Sequence, residues 1–220
     1  LYFLIAGPKY RTIADLRGTT LGVSNLRGGS TLLLQKMLGR HGLVHKKDYD
    51  MIEAGGTPKR FAAVKTGGVS ASVVTIPTNF QAVDEGLILL DQAPRYFAHY
   101  DFSVIAVNTN FARSHPQAVV GVLKAVIRAT RWFYQEANRD RAVDLIQRVV
   151  KVSPKYATLT YDTLFKELKA VPPQAEVTEQ GLEPVIEIMV ELGQLPGKIP
   201  PLQYVDDSYR QQALKALAAR

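Results

Sequence analysis

Between Thr19 and Leu90, short β-rich apolar runs alternate with stretches whose apolar residues recur every three to four positions. The first pattern suits buried strands and the second suits one face of a helix. Residues 21–24 predict a strand. Residues 30–40 predict a helix with Leu33, Leu34, Met37 and Leu38 on one face and Gly42 just past its end. A second strand is expected at 50–54. Then Thr57 reads as an N-cap, Pro58 as the first helical residue and Gly67 as the stop. A third strand follows at 70–76, Pro77 opens a third helix that ends at Gly86, and a fourth strand spans 87–90. Strands alternating with single helices imply a parallel sheet covered on both faces.

Beyond residue 100 the pattern changes. Residues 102–107 hold one more strand-like run, expected to carry the chain back across. Mostly helical segments follow. Ser114 is placed to cap a long helix at 116–136. A break at Asn138, Arg139 and Asp140 precedes a helix at 141–150. Ser153 and Pro154 start another, to about residue 168, and Thr178 caps one that ends near Gly193. Asp207 or Ser208 caps the last. The expected division is an α/β lobe at 19–99, with residues 1–18 and 100–220 forming the other. The chain opens without Met inside an apolar run, Leu1 to Ala6, which looks like a strand entered midway.

Composition narrows the function classes. The 220 residues carry a formal charge of +7, yet their Lys and Arg are scattered in pairs such as Arg128 and Arg131 or Arg139 and Arg141. No basic run is interleaved with aromatics, so no nucleic-acid platform is expected. With no cysteine, thiolate metal sites, thiol catalysis and disulfides are excluded. No apolar run is long enough for a membrane-spanning helix.

Three strand-to-helix junctions stand out: Gly28-Gly29-Ser30-Thr31, Gly55-Gly56-Thr57, and Thr75 followed by Pro77-Thr78-Asn79. In a parallel sheet all strand C-termini share one edge, so three helix N-termini would offer free N–H groups to one crevice. Helix N-termini favour anions, and Ser and Thr hydroxyls can donate or accept there. The same residues are also ordinary caps and turns. His99 and Tyr100 fall where the two segments should meet, which makes them lining or hinge residues.

Other chemistries find no support. Gly28-Gly29-Ser30 lacks the lysine of a phosphate loop, and Ser30 is not in a GxSxG elbow. His41 and His45 have ligand-like spacing, but Gly42 between them breaks the helix that would align them. Glu183 and Glu187 read as a solvated helix face. No metal and no cofactor is expected.

The stretches "TIADLRGTTLGVSNLRGGSTLLLQKMLGRHGL", "GGTPKRFAAVKTGGVSASVVTIPTNFQAVDEG" and "NTNFARSHPQAVVGVLKAVIRATRWFYQEANRDRAVDLI" resemble the solute-binding proteins of ABC importers. The resemblance is to the NMT1/THI5-like group, with its alkanesulfonate, taurine and nitrate receptors. It implies an α/β, two-lobed, type II periplasmic-binding-protein-like fold, with a further segment of lobe one before Leu1. It implies a non-enzymatic, extracytoplasmic receptor that passes a small polar, anionic or heterocyclic ligand to an ABC permease, with only peripheral membrane contact. Carried over to this chain, the ligand contacts fall on Gly29, Ser30, Thr31, Thr57, Pro77, Thr78 and Asn79, with Tyr100 near the crossing. Pyrimidine-precursor synthases of the same group use a cysteine-containing motif, which this chain lacks. A ligand-sensing regulator domain is a further alternative.

Overall fold

A computed structural model describes residues 1–97 and 99–219. The chain divides into two units. One comprises Leu1–Tyr100 with Pro184–Lys198, the other Asp101–Glu183 with Ile199–Arg220.

The first unit is built on a five-stranded sheet. Its strands are β1 (Tyr2–Ala6), β2 (Thr19–Val23), β3 (Tyr49–Glu53), β4 (Ala71–Thr75) and β5 (Ile88–Gln92), in the order β3-β2-β4-β1-β5. β2 pairs in parallel with β3 and β4, while β1 runs antiparallel between β4 and β5. The sheet is therefore mixed, not purely parallel. Residues 1–18 also belong with the α/β segment and not, as expected, with 100–220. β1 is hydrogen-bonded on both edges, and Leu4, Ile5 and Ala6 are completely buried.

Three helices connect the parallel strands: α1 (Gly29–Gly39), α2 (Thr57–Lys65) and α3 (Thr78–Asp84). On one sheet face Leu4, Leu21, Val23 and Val73 pack against Leu33, Leu34, Met37 and Leu38 of α1, and against Ile188 from a later helix. On the other face Phe3, Ile5 and Val74 pack against Val64 of α2 and Ala82 of α3. Helices on both faces leave little of the sheet to water, which is why its strands read as continuous apolar runs.

The second unit is helical. It contains α4 (Thr109–Ser114), α5 (Pro116–Tyr134), α6 (Arg139–Val150), α7 (Pro154–Tyr161), the start of α8 (Glu179–Glu191) and α9 (Ser208–Ala218). α7 continues into a π-helical stretch, Asp162–Glu167. Val120 and Ile127 of α5 pack on Ala213 of α9, and Ala142 and Ile146 of α6 pack on Ala157 and Tyr161 of α7. Thr178 caps α8 by accepting the Gly181 N–H at 3.0 Å.

Two expectations fail here. Residues 102–107 form no strand, and Phe102, Val104, Ile105 and Val107 are exposed. Alternating β-branched residues suit a sheet, but a strand also needs a neighbouring strand to bond, and none lies beside this run among the described residues. The long helix α5 takes His115, not Ser114, at its N-cap, because Ser114 ends the separate helix α4.

Candidate functional site

The sheet order fixes where the three junctions lie. β3, β2 and β4 are adjacent and parallel, so their C-terminal ends share one edge. The start of antiparallel β1 and the end of β5 reach the same edge, with Tyr2 opposite Thr75 and Phe3 opposite Gln92. α1, α2 and α3 each begin there, with Gly28, Gly56 and Pro77 at their N-caps. Thr57 is thus the first residue inside its helix and not the cap. None of the three N-cap side chains bonds the helix. Among the described residues, the N–H groups of Gly29, Ser30, Thr57, Lys59, Thr78 and Asn79 find no acceptor, the usual condition of an uncapped first turn.

A hydroxyl chain runs along this rim. Ser30 Oγ lies 2.9 Å from Ser24 Oγ, and the Ser30 hydroxyl is near enough to the Tyr2 phenol to act on its ionisation. Thr31 turns inward instead, donating to the Asn25 carbonyl at 2.6 Å. The loop before α1 is closed by Leu26 N–H donating to Glu53 Oε1 at 3.0 Å. A Cβ at Gly28 would stand 2.7 Å from the Asn25 side-chain amide, so a larger residue there would push that side chain aside. Burial pushes the Tyr2 phenol above its ordinary pKa, while the Ser30 hydroxyl and the Arg60 charge pull it back.

Arg60 was not expected. Its Nε donates to Val73 O at 3.0 Å, one terminal nitrogen to Gly55 O at 2.7 Å and the other to Thr57 Oγ1 at 3.2 Å. Arg60 as a whole is 3% exposed. Gly55 adopts φ +82°, a conformation that glycine alone takes freely. In the sequence, Lys59-Arg60 looks like a solvated basic pair. The available signal was spacing, since Arg60 lies four residues before Val64 and so shares its inward helix face.

The remaining expected residues fall as follows. Gly29 is exposed on the rim, Ser30 and Thr31 are buried, and Thr57, Pro77 and Thr78 are half-buried. Asn79 is 3% exposed, and its Oδ1 has no hydrogen-bond partner. Tyr100 is half-buried against Phe97, ring centroids 5.5 Å apart; burial, with Tyr2 nearby, pushes its phenol up to about 12. His41 lies past the C-terminal end of α1, away from the rim. There its Nε2 is 2.7 Å from the Tyr96 hydroxyl, which donates to buried Asp91. Glu187 pairs with Lys198 at 2.9 Å on the surface.

The model of the NMT1-like family matches residues 9–147, more than half of the chain and all three junctions. The chain belongs to the NMT1-like family. No curated protein matches it. Solved structures share its type II periplasmic-binding-protein-like fold. The periplasmic nitrate-binding protein NrtA of Synechocystis PCC 6803 has a TM-score of 0.78 at 16% identity, covering 100% of this NMT1-like chain and 66% of NrtA. The alkanesulfonate-binding protein SsuA of Xanthomonas axonopodis pv. citri, solved with MOPS, has a TM-score of 0.67 at 18% identity, covering 90% and 67%. The desulfurization enzyme DszB has a TM-score of 0.66 at 14% identity, covering 98% and 76%. This NMT1-like chain thus spans about two thirds of the length of the two binding proteins.

Proposed function

We propose that this chain is the solute-holding part of an extracytoplasmic receptor serving an ABC importer, and that its solute carries a small anionic head group. One observation carries this: the uncapped first turns of α1, α2 and α3 share an edge with the Ser24–Ser30–Tyr2 hydroxyls. Unbonded N–H groups at helix N-termini attract anions, and hydroxyls adjust as donors to their oxygens. Gly29, Ser30, Thr57 and Thr78 would meet the solute, with Pro77 and Asn79 shaping the α3 side and Tyr100 the aromatic margin. Thr31 supports the loop from within. The fold neighbours bind nitrate and alkanesulfonates, which supports the same head-group class. A hydrolytic or synthetic chemistry is less well supported. Ser30 is bonded to the Ser24 hydroxyl, not to a base, and the chain has no cysteine nucleophile.

The test is a thermal-shift and calorimetric comparison of nitrate, ethanesulfonate and neutral solutes on the 220-residue protein. A binder at about a hundred times its Kd should add about 2.7 kcal/mol of stability. Ser30→Ala and Thr57→Ala should each weaken anion binding roughly three- to tenfold, the worth of one hydrogen bond, and Thr57→Ala should also lower the melting temperature because it takes an acceptor from buried Arg60. Unchanged affinity in both variants would remove the solute from this rim.

A further inference from the structure

Arg60 is a buried cation whose partners are all neutral. Val73 O, Gly55 O and Thr57 Oγ1 take its hydrogen bonds, and among the described residues no carboxylate forms an ion pair with it. Taking a cation out of water without a counter-charge is costly even when its N–H groups are satisfied. Burial accordingly works against its charged form. The three hydrogen bonds make Arg60 a clamp between α2 and β4, but they leave its positive charge without a counter-charge. The charge also sits in a telling place. It bonds the Gly55 carbonyl and the Thr57 hydroxyl, which flank the N-cap of α2, and it is close enough to influence the Tyr2 phenol across the rim.

A second, independent feature lies at the next junction. Asn79 is equally buried, and its Oδ1 meets no donor. A buried polar atom left unpaired is uncommon and points to a group that arrives from outside. The rim thus combines a buried charge without a counter-ion and a buried amide without a partner. The other charges at this edge include Arg27 in the loop before α1, Lys59, beside Gly55, and Glu53, which is engaged by the Leu26 N–H.

We propose that Arg60 is the specificity-determining charge of the rim, selecting an anionic solute over its neutral isostere from behind the first turn of α2. The role rests on the solute-binding function proposed above. Arg60 need not touch the solute. Its charge acts over a short path of low dielectric, where an ionic attraction is far stronger than in water, and its hydrogen bonds hold the α2 turn in place for the head group. The anion is the counter-charge that the protein itself does not supply.

The experiment compares ethanesulfonate with ethanesulfonamide, which has similar shape but no charge, on the 220-residue protein by calorimetry at low ionic strength. The wild-type protein should prefer the sulfonate by about tenfold or more, the factor that 1.4 kcal/mol represents. Arg60→Gln loses the charge and most of the fork, so both probes should bind more weakly, with a larger loss for the sulfonate that leaves the two about equal. Arg60→Lys keeps the charge and loses the planar fork, so the preference should survive at lower affinity.

An Arg60→Gln protein that keeps the wild-type preference overturns the proposal. So does equal weakening of both probes in both variants, which is the mark of a purely structural clamp. If Arg60→Gln does not fold, the wild-type comparison still decides, since equal affinity for the two probes refutes a charge-selective rim. If neither ethanesulfonate, ethanesulfonamide nor nitrate binds the wild-type protein, the solute-binding function itself falls, and the role of Arg60 with it.

Discussion

Leu34→Ala should lower the unfolding free energy by about 2–5 kcal/mol, the cost of a large-to-small change in a closed core. Leu34 is completely buried and sits in the middle of α1, within the cluster that includes Leu21, Val23 and Val73 of the sheet. The cluster around it is built mainly of aliphatic side chains, and packed neighbours collapse only in part. The consequence reaches the rim, because α1 carries Ser30 and Thr31 in its first turn. A loosened α1 should therefore bind anions more weakly than the loss of stability alone explains. Urea titration checks the first part: the midpoint should fall with an unchanged slope. A loss below about 1 kcal/mol would mean that α1 is not anchored by this cluster.

The parts that were legible in the sequence were those set by local chemistry. Period and punctuation placed each α/β element within a few residues, because Gly42, Gly67 and Gly86 stop helices in a left-handed conformation that other residues avoid. The shared edge followed from the alternation of strands and helices. What failed depended on distant partners. Leu1 to Ala6 reads as a strand, but nothing in those six residues says that β4 and β5 will flank it. Residues 102–107 read as a strand for the same reason, yet no strand pairs with them among the described residues. Arg60 was missed because charge suggests solvent. Only the meeting of Gly55 O, Thr57 Oγ1 and Val73 O around one guanidinium makes burial possible. Asn79 was expected as a contact, but its unpaired Oδ1 is a property of packing that no sequence pattern reports.

Tyr161→Ala should be as disruptive as Leu34→Ala, but in the helical unit. Tyr161 is 2% exposed, and its ring lies 5.4 Å from Phe165 and beneath the Arg139 guanidinium at 5.8 Å. Its hydroxyl donates to Phe133 O at 2.9 Å, tying α7 to the end of α5. Truncation removes the ring and this tie together, at an expected cost of about 3–5 kcal/mol. Tyr161→Phe loses only the hydrogen bond and leaves one carbonyl unpaired, which should cost about 1 kcal/mol. The ratio between the two variants separates ring packing from the polar tie. Because α6 and α7 share this cluster, and the α1 core draws on no residue of it, hydrogen exchange should show where the damage goes. Amides of α6 and α7 should lose protection while those of α1 and β4 keep theirs, as expected for separate cooperative units. Equal loss in both would show that the two cores unfold as one. The solute rim would then depend on the helical unit for its stability, although every residue assigned to the rim lies in the α/β unit.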